Sequence, residues 1–199
     1  MPASPSSPST LLLALREGTR DCHKSLEARL PFFAANFDAA AYSRLLQAYY
    51  GFHAPLEARL GDYQEPVRAK TPALTLDLQA LHLSAADIDA LPLCQALPGI
   101  DDEASALGVM YVLEGSTLGG QVLKKAMSER LGLDPASGTG FFDVYGARTG
   151  NYWRSFLDRL GQASAAPVAQ AATVQAAIET FQSFERWLEQ RNVLNPKPG

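Results

Sequence analysis

The sequence has few cysteines, little excess charge and no long apolar run, and each of these features excludes a class of protein. Two cysteines, Cys22 and Cys94, are too few for a disulfide framework and lack the spacing of metal ligands. A net charge of −4 and a pI near 5.4 argue against nucleic-acid binding. The apolar run 11–15 is far shorter than the roughly 18 residues of a membrane span. A secretory signal begins with positively charged residues, whereas here no Lys or Arg precedes Arg16. We therefore expect a cytoplasmic protein that binds neither nucleic acid nor membrane.

The length and composition indicate one domain. A chain of 199 residues with 47% hydrophobic residues can bury a substantial single core. Residues 1–9 hold three prolines and four serines, which predicts a disordered tail. We expect the domain over residues 10–192 and a loose C-terminal tail over 193–199.

The apolar spacing predicts an all-α fold. Thr10 is a suitable N-cap for the first helix, Asp38 begins the second, and Gly132 ends the helix that starts with the carboxylates at 101–103. Residues 62–98 contain four prolines and predict one or two short helices with loops. No stretch alternates with the period of a strand. The long helices are predicted over residues 10–30, 38–60, 101–131, 149–160 and 167–191.

Three glycines interrupt the predicted helix 101–131. Each of Gly115, Gly119 and Gly120 costs roughly 0.8–1 kcal/mol relative to alanine in a helix, or about 3 kcal/mol together. Such a cost is tolerated where a helix must bend or where something approaches its backbone. Gly115 and Gly119 are four residues apart and open the same face, so a flat ligand could lie there. Close helix–helix packing is the alternative, which explains Gly115 and Gly119 but not Gly120.

The first predicted helix places His23 on a face with two cations and a carboxylate. Arg20 lies three residues and Arg16 seven residues before it, and Glu27 lies four residues after it. A metal-bound imidazole usually donates its second ring N–H to a carboxylate or carbonyl, and arginines bind carboxylates well. This set matches the needs of a haem: one iron ligand and two cations for the propionates. The alternative is an amphipathic helix with an ordinary His–Glu pair and solvated arginines.

The other candidate polar groups have simpler interpretations. His53 follows Phe52 in an apolar helix, which favours a packed, hydrogen-bonded core histidine, and His82 is expected at the surface. Tyr49 and Tyr50 are expected to be core aromatics, although one hydroxyl could anchor an internal water.

Together these motifs resemble the haem oxygenase family over most of the chain. The run Leu15-Arg16-Glu17-Gly18-Thr19-Arg20-Asp21-Cys22-His23 is similar to the proximal-helix motif of the family. The segment from Gly115 to Lys125 is similar to its distal helix, and Phe141-Phe142 followed by Tyr152-Trp153-Arg154-Ser155 is similar to the loop and helix after it. The resemblance implies a single-domain helical bundle with haem between a proximal helix and a glycine-bent distal helix.

The resemblance also implies roles for individual residues. His23 would be the iron ligand and Glu27 would orient its ring. Arg154 would join Arg16 and Arg20 in binding the propionates. Gly115, Gly119 and Gly120 would lie near the haem. Ser116 stands where many members carry an aspartate that organises water, so another group, with Tyr50 as a candidate, or backbone carbonyls would have to supply that order.

The implied reaction uses haem as both cofactor and substrate. Oxidation by O2 would yield biliverdin, carbon monoxide and ferrous iron. The sequence holds no flavin or iron–sulfur motif, so an external donor such as a ferredoxin or reductase is expected to supply electrons, and a photoreceptor could accept the bilin.

Three alternatives remain at this stage. The chain could bind or carry haem without cleaving it. It could be a different enzyme on a related helical fold, such as a thiamine-degrading or di-iron protein, although no Glu-x-x-His motif occurs. It could also be a helical interaction module in which the His23 face is incidental.

Overall fold

The computed structural model describes residues 9–197, and over these residues the protein is all-helical and forms a single domain, as predicted. Seven α-helices span the described residues, joined by loops and short 3-10 turns. Their bounds are α1 Thr10–Arg29, α2 Ala39–Leu60, α3 Thr71–Ala80, α4 Ala85–Asp89, α5 Glu103–Leu131, α6 Thr149–Gly161 and α7 Pro167–Gln190.

Local capping explains most of the helix boundaries. The side chains of Asp38 and Asp102 accept hydrogen bonds from the first turns of α2 and α5, which confirms both predicted starts to within two residues. Gly132 adopts φ 69° and ends α5, as predicted. The predicted N-cap Thr10 is wrong by one residue, because Ser9 caps α1 and Thr10 is its first helical residue. The rest of the predicted N-terminal tail, residues 1–8, lies outside the described residues.

The proline-rich segment forms two short helices, α3 and α4, as predicted for residues 62–98. The side chain of Lys70 makes no capping hydrogen bond to the start of α3. Instead the Glu57 carboxylate of α2 accepts the N–H groups of Lys70 at 2.6 Å and Thr71 at 3.0 Å. A carboxylate from a neighbouring helix therefore caps α3 and ties it to α2.

Helix α7 lies at the centre of the arrangement that forms the candidate site. It makes its most extensive contacts with α5 and also packs along α1. Gly108 allows the close approach of α5, because a side chain there would collide with the Thr173 carbonyl of α7. Helices α1 and α5 also both contact α6, whereas they make far fewer contacts with each other. Helices α1 and α5 therefore both pack on α6 and α7 without packing closely against each other.

The segment after α7 differs in part from the predicted loose tail. The N–H of Asn195 donates to the Arg29 carbonyl at 2.8 Å, and the Arg29 side chain donates to the Asn195 carbonyl at 3.2 Å. Val193 and Leu194 pack against the core. Residues 193–195 are thus attached to the end of α1, and the last two residues, 198–199, lie outside the described range.

Among the described helices, none combines the length and the apolar character that crossing a membrane would require.

Candidate functional site

The space between α1 and α5 is bounded at both ends by contacts between them or their flanking turns. At one end the Tyr111 phenol of α5 lies beside Thr19 of α1. At the other end Arg130 of α5 donates to the Ala34 carbonyl at 2.6 Å, just beyond α1. Both residue numbers rise between the two contacts, so the helices run in the same direction. We call the space between these contacts the α1–α5 slot.

His23 lies one turn after Thr19 and therefore on the side of α1 that faces α5. Its side chain is 51% exposed, and its ring packs edge-on against Phe181 of α7 with centroids 5.4 Å apart. The His23 Nε2 lies 3.5 Å from Oε1 of Glu27, at the outer limit of a hydrogen bond. The structure thus brings Glu27 beside Nε2 of the His23 ring.

The three arginines predicted as propionate ligands differ in position. Arg16 lies close enough to Tyr111 for its charge to oppose the rise that burial causes in the Tyr111 pKa. Arg20 pairs with Glu17 on α1. Arg154 donates to the Asn151 side chain on its own helix, α6. Arg16 is therefore at one end of the slot, while Arg20 and Arg154 are held by neighbours on their own helices, and all three roles stay predictions.

The three glycines of α5 have different surroundings. A Cβ added at Gly119 would meet nothing within 4 Å among the described residues, and one added at Gly115 would lie 3.9 Å from the Trp153 ring of α6. A Cβ at Gly120 would lie 2.8 Å from the Phe142 carbonyl oxygen. Gly120 was predicted near the haem from the resemblance to the distal helix, and close helix–helix packing was judged not to explain it. The structure corrects this reasoning, since Gly120 is buried against the 141–143 turn on the opposite side of α5 from Gly115.

The slot-facing side of α5 is apolar and largely uncovered. Leu118 is 43% exposed and Val122 is 63% exposed. They are three and seven residues after Gly115, so they share its face. The helix is continuous through all three glycines, and the predicted bend stays a prediction. The half-exposed ring of His23 on α1 therefore lies across the slot from an apolar strip of α5.

The two side chains considered for organising water, Ser116 and Tyr50, both have contacts of their own within the protein. The Ser116 hydroxyl donates to the Leu113 carbonyl of its own helix at 2.8 Å, so its hydrogen is already engaged. Tyr50 is half-buried on α2 and packs against the core. The hydroxyl oxygen of Ser116 can still accept a hydrogen bond.

The remaining histidines lie outside the slot. His53 is buried as predicted, and burial lowers its pKa to about 4. The expected hydrogen bonding is wrong in part, because Nδ1 of His53 has no partner among the described residues. His82 is exposed, as predicted, and adopts φ 72°.

The slot does not involve a cluster of metal ligands. Within residues 9–197 no group of three or more His, Cys, Asp or Glu could hold a metal ion. Two surface cavities of about 210 and 140 Å³ adjoin Arg44 of α2, and neither is lined by a residue of α5.

Two residues of the slot, Tyr111 and Trp153, received no role from the sequence. Tyr111 is four residues before Gly115, so helical spacing alone could have placed it on the glycine face. Trp153 contacts that face from α6, with its ring centroid 6.1 Å from that of Tyr111. No local pattern in the sequence indicates that contact.

Known proteins share both the sequence pattern and the fold. The family model described as Heme oxygenase matches residues 9–190. A heme oxygenase from Xanthomonas campestris pv. campestris (strain 8004) is 29% identical over 161 residues, which is 77% of this chain and 92% of the relative. The structure of heme oxygenase from Leptospira interrogans matches with a TM-score of 0.76 at 19% identity, over 92% of this chain and 100% of that one. Heme oxygenase-1 from Synechocystis sp. PCC6803, solved in complex with heme, gives a TM-score of 0.70 at 18% identity, with 92% of each chain covered.

Proposed function

The chain belongs to the haem oxygenase family, and from this premise we propose that it cleaves haem to biliverdin, carbon monoxide and ferrous iron. The reaction would use O2 and electrons from an external donor. Haem would be the substrate as well as the group that activates oxygen, and it would lie in the α1–α5 slot.

The observation that carries this proposal is the pairing of His23 with the bare strip of α5 across the slot. A haem needs a nitrogen ligand on one side and a flat, apolar surface on the other. The half-exposed His23 ring supplies the first. The open space at Gly119, with the exposed side chains of Leu118 and Val122 beside it, supplies the second. The residues present therefore fit the group.

On the proximal side, His23 would hold the iron and Glu27 would orient the ring. The position of Glu27 supports this role, because its carboxylate lies 3.5 Å from Nε2 of His23 and can accept the N–H of that nitrogen. Such a hydrogen bond fixes the tautomer and raises the basicity of the other nitrogen. The edge-on contact with Phe181 further limits rotation of the ring.

The propionates would lie at the Arg16 end of the slot. The Arg16 charge acts on the Tyr111 hydroxyl there, and a guanidinium and a phenol can both donate to a carboxylate. Arg20, one turn along, and Arg154 of α6 would add charge after exchanging their partners Glu17 and Asn151 for a propionate.

On the distal side, the chain would hold oxygen and water with backbone groups and a hydroxyl. Gly115 and Gly119 leave room at the helix surface, and Ser116 can accept a hydrogen bond. Tyr50 is an unsupported candidate, because it packs against the core on α2. Ordered water would therefore depend mainly on the helix backbone.

The partners follow from the resemblance. A ferredoxin or reductase would supply electrons, and a bilin-binding photoreceptor could accept the product. The catalytic unit would comprise residues 10–192.

A spectroscopic assay tests the proposal. The purified protein is mixed with one equivalent of hemin and followed in air after addition of ascorbate and an iron chelator. We expect a sharp Soret band that decays while a broad red band of biliverdin grows. A Soret band that persists under reduction would instead identify a haem carrier, and no spectral change on mixing would refute haem binding.

A further inference from the structure

A buried charged cluster surrounds Glu114, the residue directly before Gly115. The carboxylate is 1% exposed. One of its oxygens accepts from the Lys70 ammonium and from the Tyr145 hydroxyl at 2.8 Å, and the other accepts from the Arg68 guanidinium at 2.7 Å. The Lys70 ammonium also donates to the Tyr145 oxygen at 2.9 Å. These partners come from the segment before α3 and the loop before α6, so the cluster joins α5 to two other parts of the chain.

A second polar anchor lies beyond the glycines. The Gln121 amide donates to Oδ1 of Asp143 at 2.9 Å and to the Phe142 carbonyl at 3.3 Å. Lys124 pairs with the same Asp143 oxygen at 2.9 Å. Gln121 follows Glu114 by seven residues, or two turns, so the two anchors lie on one flank of the helix. Together they bracket the glycine segment 115–120.

The slot-facing side of this segment offers little to hold it in place. Gly119 has no neighbour within 4 Å of its Cβ position, and Leu118 and Val122 are exposed. The Cα atoms of a helix lie at a radius of about 2.3 Å, so a rotation of about 25° moves each by about 1 Å. A displacement of about 1 Å can reduce a reaction rate by about 100-fold. The slot-facing side therefore does little to fix the rotation of α5 here, and the rotation depends on the buried contacts of its other sides, which include the two anchors and the packing of Gly120 against Phe142.

We propose that Glu114 is a positioning residue, whose buried carboxylate acts with Gln121 to set the rotation of α5 and to direct Gly115 and Gly119 into the α1–α5 slot. Glu114 need not touch the ligand to do this. The positioning of α5 by Glu114 does not depend on the proposed function. Its effect on haem binding does rest on that function.

The substitution Glu114→Gln tests the anchor in the protein without haem. It leaves Lys70 and Arg68 buried without their shared anion, which disrupts the contact while retaining the side-chain shape. Amide hydrogen exchange, followed by mass spectrometry, should become about tenfold or more faster in residues 115–121 relative to α7. Leu78→Ala is the control, because it removes a buried apolar side chain of α3 and lowers stability while leaving every residue of the two anchors unchanged.

Hemin affinity gives the second measurement, and Gln121→Ala gives a second variant that retains the buried ion pairs if Glu114→Gln does not fold. We expect each variant to bind hemin more weakly than the Leu78→Ala control, by about tenfold for Glu114→Gln and by about threefold for Gln121→Ala. Unchanged relative exchange in 115–121, with affinities within twofold of the control, would overturn the proposal. If the wild type itself does not bind hemin, the proposed function fails, and the exchange measurement still decides whether Glu114 positions α5.

Discussion

The surroundings of the α5 glycines predict opposite effects for the same substitution at two neighbouring positions. A methyl group at Gly119 would enter open space. Gly119→Ala should therefore stabilise the haem-free protein by the difference in helix propensity, about 1 kcal/mol, or about 2–4 °C in Tm for a chain of this size. A methyl group at Gly120 would lie 2.8 Å from the Phe142 carbonyl oxygen. The cost of overpacking, about 1–3 kcal/mol, then opposes the gain in propensity, and we expect Gly120→Ala to be destabilised.

Gly119→Ala should be the more stable of the two variants without haem, but it should bind hemin more weakly than Gly120→Ala. If haem lies against Gly119, the added methyl group displaces it at a cost of about 1–3 kcal/mol. That cost corresponds to about 5- to 150-fold weaker binding. Gly120 lies on the other side of α5, so Gly120→Ala should change hemin affinity much less while the protein remains folded.

Thermal unfolding without haem and hemin titration by the Soret band measure the two effects separately. A stabilised Gly119→Ala variant with unchanged hemin affinity would refute the placement of haem in the slot. A destabilised Gly119→Ala variant would refute the open space at that position, whatever its affinity. Gly115→Ala is an informative third variant, because its Cβ would make an ordinary contact of 3.9 Å with Trp153.

Three further predictions concern other side chains. His23→Ala should remove the iron ligand and shift the Soret band of the hemin complex, and added imidazole should restore the band; a wild-type spectrum would show that another residue binds the iron. Burial lowers the pKa of His53 from 6.5 to about 4. As the pH falls, the unfolded chain therefore takes up this proton before the folded protein does, and stability is lost between pH 6.5 and pH 4. Urea unfolding should therefore show a loss of about 2 kcal/mol from pH 7 to pH 5, and this loss should disappear in His53→Leu; an equal loss in both proteins would refute the assignment. Arg29→Ala should cost about 2–3 kcal/mol in the free energy of unfolding, because it leaves Glu185 and Glu189 without their shared buried cation; a loss below 0.5 kcal/mol would contradict this.

Most of the secondary structure could be predicted because its signals are local. Asp38 precedes an apolar run at helical spacing, and Gly132 follows one, so each marks a helix end through its own backbone preferences. The error at Ser9 and Thr10 has the same origin, since two adjacent hydroxyl residues can both cap a helix and the sequence does not distinguish them.

The candidate site could be predicted only in part. The approach of Glu27 to His23 follows from a spacing of four residues on one helix. The packing of Gly120 against Phe142 could not be predicted, because it depends on which loop crosses the far side of α5. The packing of Tyr50 against the core, by contrast, agrees with the prediction that it is a core aromatic.

The sequence by itself determined the all-α class, the family resemblance and the residues that share a helix face with His23 and with Gly115. These properties depend on spacing within one helix, and the helical repeat converts spacing directly into direction. Only the tertiary structure decided that α1 and α5 both lie on α7 and leave a slot between them. It also decided that Lys70, Arg68 and Tyr145 converge on Glu114. Contacts of this kind join residues more than 30 positions apart, and they form because each buried charge must find a partner wherever the packing of the helices places one.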